Sequence, residues 1–148
     1  MLYDHTQAGT AIRIGVGGAA IVLLIAAITG QERAGTSLAV AGLLLVMLFL
    51  HHALTVRVTG QDVQVAFGPG LLRRAVPIAA IRSVARGRCG WYNGWGIRYI
   101  GAGWLYRVSG MDTVDLALER EVVRIGTDDP EGLQRAIERA MEAASGGT

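Results

Sequence analysis

The run IGVGGAAIVLLIAAITG, residues 14–30, carries no charged side chain, and after Gln31, Glu32 and Arg33 a second such run, AGTSLAVAGLLLVMLFLHHALTV, fills residues 34–56. At about 1.5 Å of rise per residue the first covers roughly 26 Å and the second roughly 34 Å, against a hydrocarbon core about 30 Å thick. The first is slightly short. Thr10 and Ala11 extend it, with the long side chain of Arg13 snorkelling to the headgroups. Three linking residues flanked by Gly30 and Gly35 force the two helices to be antiparallel neighbours. Residues 1–52 therefore read as a short tail and a transmembrane hairpin, with spans at about residues 11–30 and 34–52. Ala11, Gly15 and Ala19, and on the second helix Gly35 and Ala39, recur every four positions and predict close approach of helix backbones. A signal peptide is the rival reading of the first run, but the second would anchor the product anyway.

Working outward, composition agrees. The 148-residue chain is 51% hydrophobic with a mean hydropathy of +0.38, more than one soluble core requires, and the excess lies before residue 57. All fourteen basic residues are Arg, which excludes a P-loop lysine and a lysine Schiff base. Cys89 is the only cysteine, so there is no intrachain disulfide and no thiolate cluster for zinc or iron–sulfur. Arg13 and Arg57 flank the side that carries the Arg-rich remainder, against Glu32 and Arg33 in the turn. The positive-inside bias then places both termini in the cytoplasm.

From Leu54 the period changes to two. Val56 and Val58 take one face while Thr55, Arg57 and Thr59 take the other; after Gly60, Gln61 and Asp62, the residues Val63, Val65 and Phe67 alternate again. Turns at Gly68, Pro69 and Gly70 and at Ser109 to Asp112 separate further strands at 72–77, 81–86, 104–108, 114–118 and 123–125, seven in all. On the fifth, Trp104, Tyr106 and Val108 read as core, with Leu105 and Arg107 facing the other way. Asp129 as N-cap, Pro130 at the first helical position and Glu131 in the first turn open a helix over about 130–144. Its apolar positions Leu133, Ala136, Ile137, Ala140, Met141 and Ala144 form one stripe.

That order of elements, with the segments VPIAAIRSV, GWLYRVSG, VDLAL and VRIGTDDPEGL, resembles bacterial relatives of the pleckstrin-homology (PH) superfold joined to membrane spans. The resemblance covers about residues 53–145 and implies an α+β membrane protein: a two-helix transmembrane hairpin followed by a PH-like, seven-stranded antiparallel partial barrel, residues 53–148, capped by the C-terminal helix. It also implies a bacterial inner (cell) membrane location. The usual phosphoinositide loop is here Gly60, Gln61 and Asp62, without a basic residue, so specific phosphoinositide binding does not carry over.

Between Asp62 and Asp112 stand seven Arg and no acid, whereas residues 112–142 hold nine acids against four Arg. Such polarity beside anionic lipid orients a tethered domain, at about 1 kcal/mol per basic residue near the surface. Arg73, Arg74, Arg86, Arg88 and Arg98 are the candidate contacts for anionic lipid headgroups or a partner. Trp91, Tyr92 and Trp95, in a segment from Gly87 to Gly103 too glycine-rich for a plain strand, are candidates for the bilayer interface or a subunit contact.

No catalytic constellation is present. Ser109 lacks the G-x-S-x-G context, His51 and His52 have no ligand spacing beyond adjacency, and the GVGG at 15–18 lies inside an apolar run. The expectation is a non-enzymatic, membrane-anchored binding or scaffolding module without cofactor or metal. It contacts a protein partner, copies of itself as a homo-oligomer, or anionic lipid, and no nucleic acid. The alternative is a small accessory subunit of a membrane transport or envelope complex.

Overall fold

A computed structural model describes residues 1–30 and 34–146. The chain runs β1 (Tyr3–Ala8), α1 (Thr10–Ile28), α2 (Ala34–His51), β2 (Ala53–Val58), β3 (Asp62–Phe67), β4 (Leu72–Pro77), β5 (Ser83–Arg88), β6 (Gly96–Tyr99), β7 (Gly103–Arg107), β8 (Asp112–Ala117), β9 (Val122–Gly126) and α3 (Pro130–Ser145). Short 3-10 turns occupy Ile78–Ala80 and Trp91–Asn93. The protein is thus α+β, with an apolar helix near its N-terminus, two sheets and a closing C-terminal helix.

α1 is long and apolar enough to cross a membrane, and α2 supplies a shorter apolar helix, Gly35–His51. They are antiparallel, since the start of α1 lies beside the end of α2 and Gly17 faces Leu48. The turn expected at residues 31–33 lies outside the described residues. The small-residue stripe does not form the helix contact. Ala20 and Ala41 are buried there, while Gly15, Ala19, Gly35 and Ala39 are exposed. The cause is Ile12: its side chain enters the β-domain core with Val16 packed beside it, which sets the rotation of α1 and turns the face of Ile12, Val16 and Ala20 inward.

The first sheet has the order β1-β2-β3-β4, antiparallel throughout, and the second the order β5-β8-β9-β7-β6. Among the described residues nine strands replace the expected seven. β1 replaces the expected tail, and alternation does not reveal it because its inward positions are not apolar: Tyr3 and His5 reach Asp129 and Asp128 at 3.2 and 2.6 Å, and Gln7 is buried. β6 forms despite its glycine-rich surroundings, at a sheet edge where only β7 needs a ladder partner.

The expectation of a wholly antiparallel barrel is also corrected, because β7 pairs with β9 in parallel. Residues 108–111 reverse the chain between β7 and β8, so those strands run oppositely. β9 lies between them and, being antiparallel to β8, must run parallel to β7.

One core joins both sheets and α3, from Leu54, Val56 and Phe67 through Val114, Leu116 and Ile125 to Leu133, Ile137 and Ala140. α3 packs across β5, β8, β2, β1 and the Ile78–Ala80 turn. Its stripe is the predicted one, and each fully buried aliphatic contributes about 1.5–3 kcal/mol. Asp129 Oδ1 accepts from Gly132 N at 3.0 Å, as the cap pattern requires. Trp104 departs from its expected core position: it lies at the start of β7, is 36% exposed and packs its ring against Tyr99. Arg107, expected outward, is fully buried.

Tyr3 ties β1 to the N-terminus of α3. Burial first, then the charge of Asp129 and the hydrogen bond to it, push the phenol from its ordinary 10 up to about 12. The native state therefore holds more protons than the unfolded one in that interval, and stability falls as pH rises from 10 to about 12. Urea denaturation at fixed pH should show a steeper alkaline loss for the unmodified protein than for Tyr3→Phe. Parallel losses would mean that Tyr3 is not docked.

Candidate functional site

Two of the functional candidates, Trp95 and Arg98, lie where the helices join the sheets. No linker separates them: Gly9 N donates to His52 O at 2.7 Å, continuing the ladder of β1 and β2 beyond the Ala8–Ala53 pair. The last carbonyls of α2 are taken up by its own histidines, with His51 Nδ1 3.1 Å from Met47 O and His52 Nδ1 2.8 Å from Phe49 O. The His51 ring also meets Phe67 edge-on at 5.6 Å. Among the described residues no group of His, Cys, Asp and Glu is placed to hold a metal.

Directly against the end of α2 sits the β3–β4 turn. Gly68 has φ +51°, and a Cβ there would stand 2.6 Å from Leu50 O, so only glycine fits. Arg73, just past this turn, donates Nε to Gly70 O at 2.9 Å and faces outward. With Arg57 and Gln64 it lines a shallow groove of about 380 Å³ on the outer face of the first sheet.

On the other side of α2 lies the aromatic segment. It is held by Arg107, whose Nη1 and Nη2 donate to Cys89 O at 2.9 Å and Gly90 O at 3.3 Å, and whose guanidinium carbon lies 5.7 Å from the Trp95 ring centroid. Burial lowers the Arg107 pKa, against an opposing effect of Cys89. Among the described residues Arg107 Nε has no partner, and no carboxylate pairs with this cation. The segment thus clamped presents Trp91 and Tyr92 at 74% and 73% exposure, with Trp95 half-exposed. Cys89 beneath it is buried, so it is a poor topology probe.

The basic candidates do not form one patch. Arg73 and Arg74 lie on β4, Arg86 and Arg88 on β5, and Arg98 on β6. β5 and β6 are opposite edges of one sheet, roughly 19 Å apart at about 4.8 Å per strand. Nor is the basic stretch unpaired. Arg82, Arg86 and Arg88 meet Glu119, Glu131 and Asp112 at 3.7, 2.9 and 3.3 Å, and Arg74 pairs with Glu121 while reaching the Tyr106 hydroxyl. The acids come from the later, acidic stretch, so the charge division along the chain is largely cancelled in space. Among the described residues Arg73 and Arg98 are left without an acid partner; Arg98 shares a groove with Met47 and His51 at the end of α2, and Arg73 follows the β3–β4 turn on the outer face of the first sheet. Sequence reasoning missed Arg107, and a signal existed: it is the one charged residue in the apolar run from Trp104 to Val108.

Comparisons with known protein families, with curated proteins and with solved structures find no match.

Proposed function

We propose that the protein is a membrane-anchored, non-enzymatic binding module, with both helices crossing the bilayer as a hairpin and the β domain held against the cytoplasmic face of a bacterial inner membrane. The linker-free Gly9–His52 junction carries this reading. A domain fused to two helices through a continued β ladder cannot tumble on a tether. The same rim always meets the headgroups, and that rim carries Arg98 and Trp95. An unpaired guanidinium beside a half-exposed Trp ring suits an anionic headgroup layer. A four-stranded sheet, a second sheet and a closing helix support the PH-like reading, from which the parallel pairing of β7 and β9 departs.

The accessory-subunit reading has one observation in its favour. Gly15 and Ala19 are exposed small residues on α1, open to a helix of another subunit or a second copy.

The test uses Cys89→Ser with Arg139→Cys, which moves the sole thiol to the exposed face of α3. The expected result is a protein that stays in membranes through alkaline carbonate washing and reacts with an impermeant maleimide only after cells are opened. Extraction by carbonate would overturn the anchor, and labelling of intact cells would reverse the orientation.

A further inference from the structure

We propose that a groove between the helix pair and β6 holds a single anionic phospholipid, its phosphate on Arg98 and an acyl chain along α1. The groove has a volume of about 480 Å³ and is walled by α1 from Ala11 to Val16, by Met47 and His51 of α2, and by residues 94–98. The site rests on the membrane reading above and names a ligand that reading does not specify.

Charge is one-sided. Among the described residues Arg98 is the only permanent charge on the lining, no acid lines the groove, and Arg98 makes no hydrogen bond or ion pair. Its guanidinium rests over Gly94, where a Cβ would come within 3.2 Å of Cζ, and Gly94 has φ +71°. A side chain at that position would displace the cation from the groove. A guanidinium free on its donor edges is suited to a phosphate, which it binds by charge-assisted hydrogen bonds.

Depth selects the ligand. The α1 wall begins beside the Gly9–His52 junction and extends over six residues, about 8 Å of helix at about 1.5 Å per residue. Its deeper lining, Val16 and Met47, is apolar and continues into the exposed apolar surface of both helices. Polar recognition at the rim and an apolar floor running into the hydrocarbon match one amphiphile better than a free phosphate, which gains nothing from that floor. The volume falls within the roughly 300–1,000 Å³ of small-molecule sites. Trp95, fixed by Arg107, forms the headgroup-level wall.

Trp95 is also the reporter. In full-length protein with Trp91→Phe and Trp104→Phe it is the only tryptophan. Reconstituted into phosphatidylcholine vesicles, it should be quenched by brominated phosphatidylglycerol about fivefold more steeply than by brominated phosphatidylcholine at equal mole fraction, the preference of about one basic contact. Arg98→Gln should abolish the difference, and Arg98→Lys, which keeps the cation, should retain most of it. Equal quenching by both lipids, or a preference that survives Arg98→Gln, would overturn the site while leaving the anchor intact. Quenching by neither, in protein that fails to float with the vesicles, would overturn the membrane reading and the site together. The unsubstituted protein supplies an independent check: native mass spectrometry from detergent should retain one phosphatidylglycerol in preference to phosphatidylcholine, and loss of both alike would count against the proposal.

Discussion

A chain in which residues 10–51 are replaced by Asn-Gly is expected to fold as a water-soluble β domain, whereas a fragment begun at Ala53 is not. β1 and β2 are antiparallel, and Gly9 and His52 are already hydrogen-bonded across from one another. A two-residue type I′ turn closes such a pair, and Asn-Gly is its preferred sequence. The helical pair is thus an insertion at the tip of a β-hairpin. Removing it takes Ile12 from the core, at about 2 kcal/mol.

Removing β1 costs more. The fragment loses a six-residue ladder, the Tyr3–Asp129 and His5–Asp128 contacts at the start of α3, and the cover over the edge of β2. At about 0.5–1.5 kcal/mol per net hydrogen bond this removes several kcal/mol from a domain stability of about 5–15 kcal/mol. The bared edge also invites aggregation. Circular dichroism melts and solubility of the two chains decide the matter. If the fragment from Ala53 melted within a few degrees of the Asn-Gly chain, β1 would be dispensable and the helices merely appended.

At Arg107 the expected result is a separation of stability from loop order. Arg107→Ala opens a cavity and orphans the Cys89 and Gly90 carbonyls. Together these cost about 3 kcal/mol, or about 15 °C in Tm for a domain of this size. Arg107→Met fills much of the space and removes the desolvation cost of an unpaired buried cation, so it should recover most of the lost stability. It supplies no donors, so amide hydrogen exchange over residues 89–96 should accelerate in both variants. Unchanged exchange in Arg107→Met would show that the aromatic segment is held by something other than the guanidinium.

The legible parts of the fold are those whose pattern is local. Strands β2, β3 and β4 followed from alternation around glycine turns, and α3 from its Asp129-Pro130 cap and spacing of three and four. The parity of β7 was legible only in part: Tyr106 and Val108 enter the core, but Trp104 is partly exposed while Leu105 and Arg107 are fully buried. Which residues on the opposite face meet water was not: Cys89 and Gly90 fold back over Arg107, and that contact spans eighteen positions of sequence. The candidate site was legible by residue type and illegible by grouping. Arg73 and Arg98 lie on different sheets, and only the tertiary structure brings Arg98 into a groove with Met47 and His51 of α2.

By itself the sequence determined that two uncharged stretches form helices, that the remainder alternates into strands, and that an amphipathic helix ends the chain. These follow from side-chain hydrophobicity repeating at the period of a single element. Tertiary structure alone decided that Tyr3–Ala8 is a strand, that β9 lies between β7 and β8, and that four of the seven arginines between Asp62 and Asp112 pair with acids from the later half. Each depends on a partner distant in sequence: a strand with polar inward residues needs Asp128 and Asp129 to receive them, and an ion pair needs both charges on neighbouring surfaces. Periodicity records what a residue faces, in or out, and it holds no information about which distant residue it meets there.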